Sequence, residues 1–195
     1  MDISGKVVLI TGASMGIGRA AALRFAQAGA RLALTARSVA LLQEVAAEIR
    51  AAGGEVFTLS ADLYAPDEAR RVVTETLHHF GRLDILINNA GQAAAGDVER
   101  VSLEHFDRIM HLNVYAPLAA MQTAIPAMRA QGGGLVINVS SMVSKMHIPG
   151  LSAYAATKVA LNMLTDTARG ELAEEGIARN SLHASCDLQM CRSMP

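Results

Sequence analysis

The run Tyr154-Ala155-Ala156-Thr157-Lys158 sets a phenol and an ammonium four residues apart, with Ser141 thirteen residues upstream of the tyrosine. On a helix, residues four apart share one face about one turn from each other, so this spacing directs both groups into the same space. A free tyrosine titrates near pKa ~10, but a cation within roughly 4–6 Å favours the phenolate and lowers that value. Such a phenol can give or take a proton near neutral pH. Taken alone, the spacing also fits two residues that merely share an exposed helix face, so its weight depends on what surrounds it.

The elements that must position this pair alternate along the chain. Residues 6–11 are a short apolar run ending at Gly12, and from Gly16 to Ala28 apolar residues recur at helical spacing until Gly29. Strands are predicted at 31–35, 55–59, 85–87 and 135–140. Helices are predicted at 38–51, with Ser38 as cap, at 66–80, with Pro66 in the first turn, at 102–129, kinked at Pro117 and Pro126, and at 152–175. Strict alternation predicts an α/β fold: a doubly wound, Rossmann-like parallel sheet with helices on both faces and ligands at the carboxyl ends of its strands.

Composition narrows the classes of function. The 195 residues are 51% apolar and 18% charged, without Trp, which suits one core filled by small and aliphatic side chains. With 17 basic against 18 acidic residues and no basic run, a nucleic-acid partner is not expected. The N-terminus lacks the pattern of a signal peptide, and no apolar run approaches the ~18 residues of a membrane span, so the chain reads as soluble and cytoplasmic with no membrane partner. Cys186 and Cys191 have no cluster of Cys or His at metal spacing, so neither a disulfide framework nor a metal site is expected.

Thr11-Gly12-Ala13-Ser14-Met15-Gly16-Ile17-Gly18 stands between the first strand and the first helix, where a dinucleotide site belongs. A turn without side chains lets the backbone approach a pyrophosphate, and the following helix offers free N–H groups to it. Its spacing, G-x-x-x-G-x-G, differs from the G-x-G-x-x-G fingerprint.

Together, Thr11-Gly-x-x-x-Gly-Ile-Gly18, Asn88-Asn89-Ala90-Gly91, Asn113, Ser141 and Tyr154-x-x-x-Lys158 resemble, in order and spacing, the short-chain dehydrogenase/reductase family, over about residues 5–177. The resemblance implies that Tyr154 is the general acid/base of carbonyl reduction or alcohol oxidation. Lys158 would tune it and hold the nicotinamide ribose, Ser141 would bind the substrate oxygen, and Asn113 would anchor a water. Gly12, Ser14, Met15, Gly16, Ile17 and Gly18 would cradle the cofactor, with Asn89, Ala90 and Gly91 lining its adenosine side. Asp62 and Leu63 would contact adenine, although an Asp after a strand also serves as a cap or turn residue. Relatives commonly form homodimers or homotetramers through the helices predicted at 102–129 and 152–175.

The residue ending the second strand faces the adenosine ribose; an acid there favours NAD(H), whereas an arginine accommodates the 2′-phosphate of NADP(H). Ala36 and then Arg37 stand there, which favours NADP(H) and keeps NAD(H) possible, with Arg37 as a solvated loop residue the alternative. Members of the resembled family that use NADP often carry a second basic residue in the glycine loop, where this chain has Met15. Gln92, Met142, Met146 and His147 flank the catalytic set and suit a small ketone or alcohol with a nonpolar body.

Residues 1–178 are expected to form the nucleotide-binding and catalytic domain, and 179–195 an atypical tail. The tail's strand pattern is poor, Ala184 and Ser185 stand where the resembled family has Pro-Gly, and the resemblance implies a fold lacking that family's C-terminal strand and substrate loop. Two readings of activity stay open: an oxidoreductase, and a catalytically inactive nucleotide-binding or scaffold protein.

Overall fold

Every residue of β1 (Val7–Thr11) is buried, as a strand covered by helices on both sheet faces must be. A computed structural model describes residues 2–173 and 177–184, with 179–184 described by backbone alone. After β1 come α1 (Gly16–Gln27), β2 (Arg31–Ala36), α2 (Val39–Ala51), β3 (Val56–Ser60), α3 (Pro66–Phe80) and β4 (Ile85–Asn88). The second half adds α4 (Leu103–Met110), α5 (Ala116–Ala130), β5 (Gly134–Ser141), α6 (Ser152–Glu171) and β6 (Ile177–Ala184). The six strands lie parallel in the order β3-β2-β1-β4-β5-β6. The chain winds outward from β1 in one direction and then, from β4, in the other. A crevice therefore opens beyond the carboxyl ends of β1 and β4.

Alternation along the strands feeds two cores. Val7, Leu9 and Leu86 face a layer with Val73 of α3 and Met128 of α5, while Val8, Ile10 and Ile87 face Leu42, Val45 and Ile49 of α2. The predicted caps act locally: Ser38 Oγ accepts the N–H of Leu41 at the start of α2, and Pro66 opens α3. Among the described residues no helix is long and apolar enough to cross a membrane.

Two expectations change. The helix expected over 102–129 is interrupted by a π-helical turn, His111–Tyr115, between α4 and α5. Pro117 has no N–H to close the bond to the Asn113 carbonyl and its ring crowds that turn, so the wider turn takes up the misfit. No break occurs at Pro126, through which α5 continues. The poor strand pattern after Gly176 nevertheless yields β6, paired with β5 from Gly134↔Ile177 to Ser141↔Ala184. Parallel pairing is made by backbone groups, and the open edge of β5 supplies a full row of them, so side-chain alternation is not required there. This strand runs across the boundary expected at 178. Residues 185–195, with Cys186 and Cys191, lie outside the described residues.

Candidate active site

At the crevice, β1 and the loop after β4 are tied through Thr11 and Asn89. Thr11 Oγ1 accepts the N–H of Asn89 at 3.0 Å and of Ala90 at 2.9 Å. Asn89 Nδ2 donates back to the carbonyls of Thr11 at 2.9 Å and Gly12 at 3.1 Å. The glycines are what permit this closeness. Gly12 has φ 65°, and a Cβ on it would stand 2.9 Å from Ala90 Cα. A Cβ on Gly18 would collide with the Gly12 carbonyl oxygen. Gly16, Ile17 and Gly18 form the first turn of α1, whose N-cap, Met15, makes no side-chain cap. Its leading N–H groups and positive dipole end therefore face the crevice without an internal side-chain acceptor.

A cleft of about 630 Å³ opens over this loop, with Gly12, Ser14, Met15, Arg37, Leu63, Asn89, Ala90 and Gly91 in its lining, together with Ala36, Ser38, Ala61 and Leu112. Asp62 is exposed. Its Oδ1 accepts the N–H of Tyr64 at 3.3 Å and its carbonyl that of Ala65 at 3.2 Å, the arrangement of a turn residue leading into α3.

At the other end of the crevice, Tyr154 and Lys158 occupy successive turns of α6. Lys158 is 4% exposed, its Nζ donates to the Val139 carbonyl of β5 at 2.8 Å, and Nζ lies 5.8 Å from the centroid of the Tyr154 ring. Burial pushes its pKa down to about 8, because removal from water disfavours the charged amine. Ser141, the last residue of β5, is buried; its Oγ accepts the N–H of Val143 at 3.4 Å and its carbonyl accepts from Ser144 Oγ at 2.7 Å. A Cβ on Gly91 would lie 3.1 Å from Asn113 Oδ1 and 3.4 Å from Lys158 Nζ, so the loop after β4 reaches the buried amine.

Asn113, fully buried in the π turn, clamps these pieces together. Its Nδ2 donates to the Gln92 carbonyl at 2.9 Å and to Thr157 Oγ1 at 3.0 Å, and its Oδ1 accepts the Gln92 N–H at 2.9 Å. Thr157 Oγ1 in turn donates to the Tyr154 carbonyl at 2.7 Å. The Asn113 side chain is thus engaged by the protein itself and fixes the loop after β4 against α6.

Several contributors were not foreseen. Asn88 and Asn138 stand in register on neighbouring strands; Asn88 Nδ2 donates to Asn138 Oδ1 at 2.8 Å, and Asn138 Nδ2 to Thr165 Oγ1 of α6 at 2.8 Å. Asn88 opens the Asn-Asn-Ala-Gly run, whereas the only sequence signal for Asn138 is an amide inside an apolar strand run. The Val139 carbonyl and Thr157 leave no such signal. Among residues expected near the substrate, Met142 and Met146 are 39% and 51% exposed in the segment after β5, and His147 is exposed beside them. The side-chain oxygen of Gln92 accepts from the Tyr64 hydroxyl.

Comparison with known proteins gives these positions a context. The short chain dehydrogenase family model matches residues 6–186. An uncharacterized oxidoreductase of Thermotoga maritima is 40% identical over 182 residues, covering 93% of this chain and 72% of that protein. 11-beta-hydroxysteroid dehydrogenase 1A of Arabidopsis thaliana is 40% identical over 173 residues, 88% of this chain, which spans only 49% of that relative's length. Among solved structures, a metagenomic short-chain oxidoreductase in complex with NADP superposes with a TM-score of 0.89 at 37% identity, covering 93% of this chain and 82% of that one.

Proposed function

The chain belongs to the short-chain dehydrogenase family, and on that premise we propose that it is an oxidoreductase acting on a carbonyl/alcohol pair with NADP(H), in which Tyr154 moves the proton. The observation that carries this reading is the buried Lys158 amine beside the Tyr154 ring at the end of the glycine-lined cleft.

The residues present fit a dinucleotide. Gly12 and Gly18 stand where any Cβ would meet backbone, so the loop is shaped for close approach of a ligand. Arg37 lines the cleft where β2 ends in Ala36, so no carboxylate repels a phosphate there. When bound, the nicotinamide cofactor supplies or accepts the hydride. On this reading Arg37, Leu63 and Ala90 would hold the adenosine end, residues 12–18 the pyrophosphate, and Lys158 the nicotinamide ribose.

The chain's own residues then account for the proton. Tyr154 gives its phenolic proton to the substrate oxygen during reduction and takes one during oxidation, and the nearby Lys158 charge stabilises the phenolate left behind. Because the Val143 N–H donates to Ser141 Oγ, the Ser141 hydroxyl proton is left to bind the substrate oxygen. Asn113 holds the loop and α6 at their spacing through Gln92 and Thr157.

The test is NADPH-dependent reduction of a panel of small ketones, followed by NADPH absorbance, in wild type and Tyr154→Phe. Wild-type turnover with a loss of about 10³-fold or more in the variant, and NADPH binding unchanged, is the expected result. Turnover retained by Tyr154→Phe overturns the assignment of the proton. Cofactor binding without turnover of any substrate supports the alternative, a nucleotide-binding protein without catalysis.

A further inference from the structure

Resting on the NADP(H) reading, we propose that Arg108 is the second cation for the phosphate on the adenosine ribose, and that Tyr64 holds it beside Arg37. Three elements distant in sequence meet here: Arg37 follows β2, Tyr64 lies in the turn after β3, and Arg108 is on α4. The guanidinium carbon of Arg37 is 5.5 Å from the centroid of the Tyr64 ring, and that of Arg108 is 4.6 Å from the same centroid. Arg37 lines the cleft, and so do Leu63, adjacent to Tyr64, and Leu112, one helical turn beyond Arg108. The cluster therefore stands at the adenosine mouth of the cleft.

Charge adds to the shared ring, since Arg24 and Arg50 also lack a carboxylate but neither lies over Tyr64. Arg19, Arg31, Arg70, Arg71, Arg82, Arg100 and Arg169 each meet a carboxylate. Arg37 and Arg108 have none among the described residues. Two acids adjacent in sequence to the cluster have other neighbours: Asp62 accepts the Tyr64 N–H, and Asp107 lies 3.7 Å from His111. Two guanidinium groups gathered on one ring repel each other, and an aromatic face offsets that only weakly. An anion between them removes the repulsion, and a phosphate monoester of about −1.5 to −2 charge suits two planar donor forks.

The platform is itself anchored. The Tyr64 hydroxyl donates to the side chain of Gln92, whose backbone is bonded in both directions to Asn113. With Met15 in the glycine loop, this pair gives the cleft its second positive charge from a helix.

Calorimetric titration of the full chain with adenosine 2′,5′-bisphosphate and adenosine 5′-monophosphate isolates the phosphate, because the probes differ by that group alone. Arg108→Gln is expected to weaken the bisphosphate about tenfold, a loss typical of one charge-assisted contact, and to leave the monophosphate within about twofold. Arg108→Lys, which keeps the charge and loses the fork, should fall between, and Tyr64→Leu should weaken the bisphosphate selectively; circular dichroism checks that each variant is folded. Unchanged bisphosphate affinity in Arg108→Gln, or equal weakening of both probes, overturns the proposal. If the wild type prefers the bisphosphate and only Arg37→Gln abolishes that preference, this proposal alone fails. A wild type that binds neither probe, or both equally, overturns the NADP(H) reading together with it.

Discussion

At the glycine-turn end of the crevice the decisive groups are backbone atoms and absent side chains, whereas at the α6 end they are polar side chains with almost no access to water. Gly12 and Gly18 let two turns touch, and Thr11 and Asn89 lock them mostly through main-chain partners. Around α6, by contrast, Asn88, Asn113, Asn138, Thr157, Lys158 and Thr165 are all buried and are bonded to one another or to nearby carbonyls. A backbone-built site fails when atoms are added to it. A side-chain network fails when a partner is taken away, because the group left behind is desolvated and unpaired.

Gly18→Ala should give the largest effect, since the new methyl group meets the Gly12 carbonyl and cannot swing aside. We expect a loss of about 3 kcal/mol in stability and about 100-fold or more in NADPH affinity, read by urea unfolding and calorimetry; near-normal binding would mean that the loop is looser than its contacts imply. Asn138→Ala strips partners from Asn88 and Thr165 at once and should cost about 2 kcal/mol of stability. A change below about 0.5 kcal/mol there would show that the network is not what holds α6 to the sheet.

The smallest effect should have the opposite sign. Lys158 has its folded pKa lowered from 10.5 to about 8. Below about pH 8 the amine is protonated in both states and its burial opposes folding. Between about 8 and 10.5 the unfolded chain keeps a proton that the folded chain has released, so this group makes stability rise with pH through that window, by about 3 kcal/mol in total. Lys158→Met should remove that rise. At pH 7 it should stabilise the chain by about 1 kcal/mol, the relief of burial being partly offset by the unpaired Val139 carbonyl. Subtracting variant from wild-type unfolding free energies at pH 7 to 10 tests this, and equal pH slopes in the two proteins would assign the rise to other groups.

Much of this was legible in order of residues. Helix spacing alone places Tyr154 and Lys158 on one face, and an apolar run and a helix place the glycine turn between them at the crevice. Arg37 after Ala36 puts a guanidinium in the lining of the cleft. The π turn was not legible, because Pro117 announces a disturbance in the helix without fixing whether the backbone kinks or widens. Nor was β6, since pairing along the edge of β5 rests on backbone groups that every residue carries.

What the sequence by itself determined is whatever depends on local spacing: the alternation of strands and helices, the glycine turn and the Tyr154/Lys158 face. The tertiary structure alone decided which distant polar groups meet: Asn88 with Asn138, Asn113 with Thr157, Lys158 with the Val139 carbonyl, and Arg37 with Arg108 across Tyr64. Those meetings depend on strand register and on how helices lie across the sheet, and both are set by packing summed over the whole core, not by any short stretch of chain.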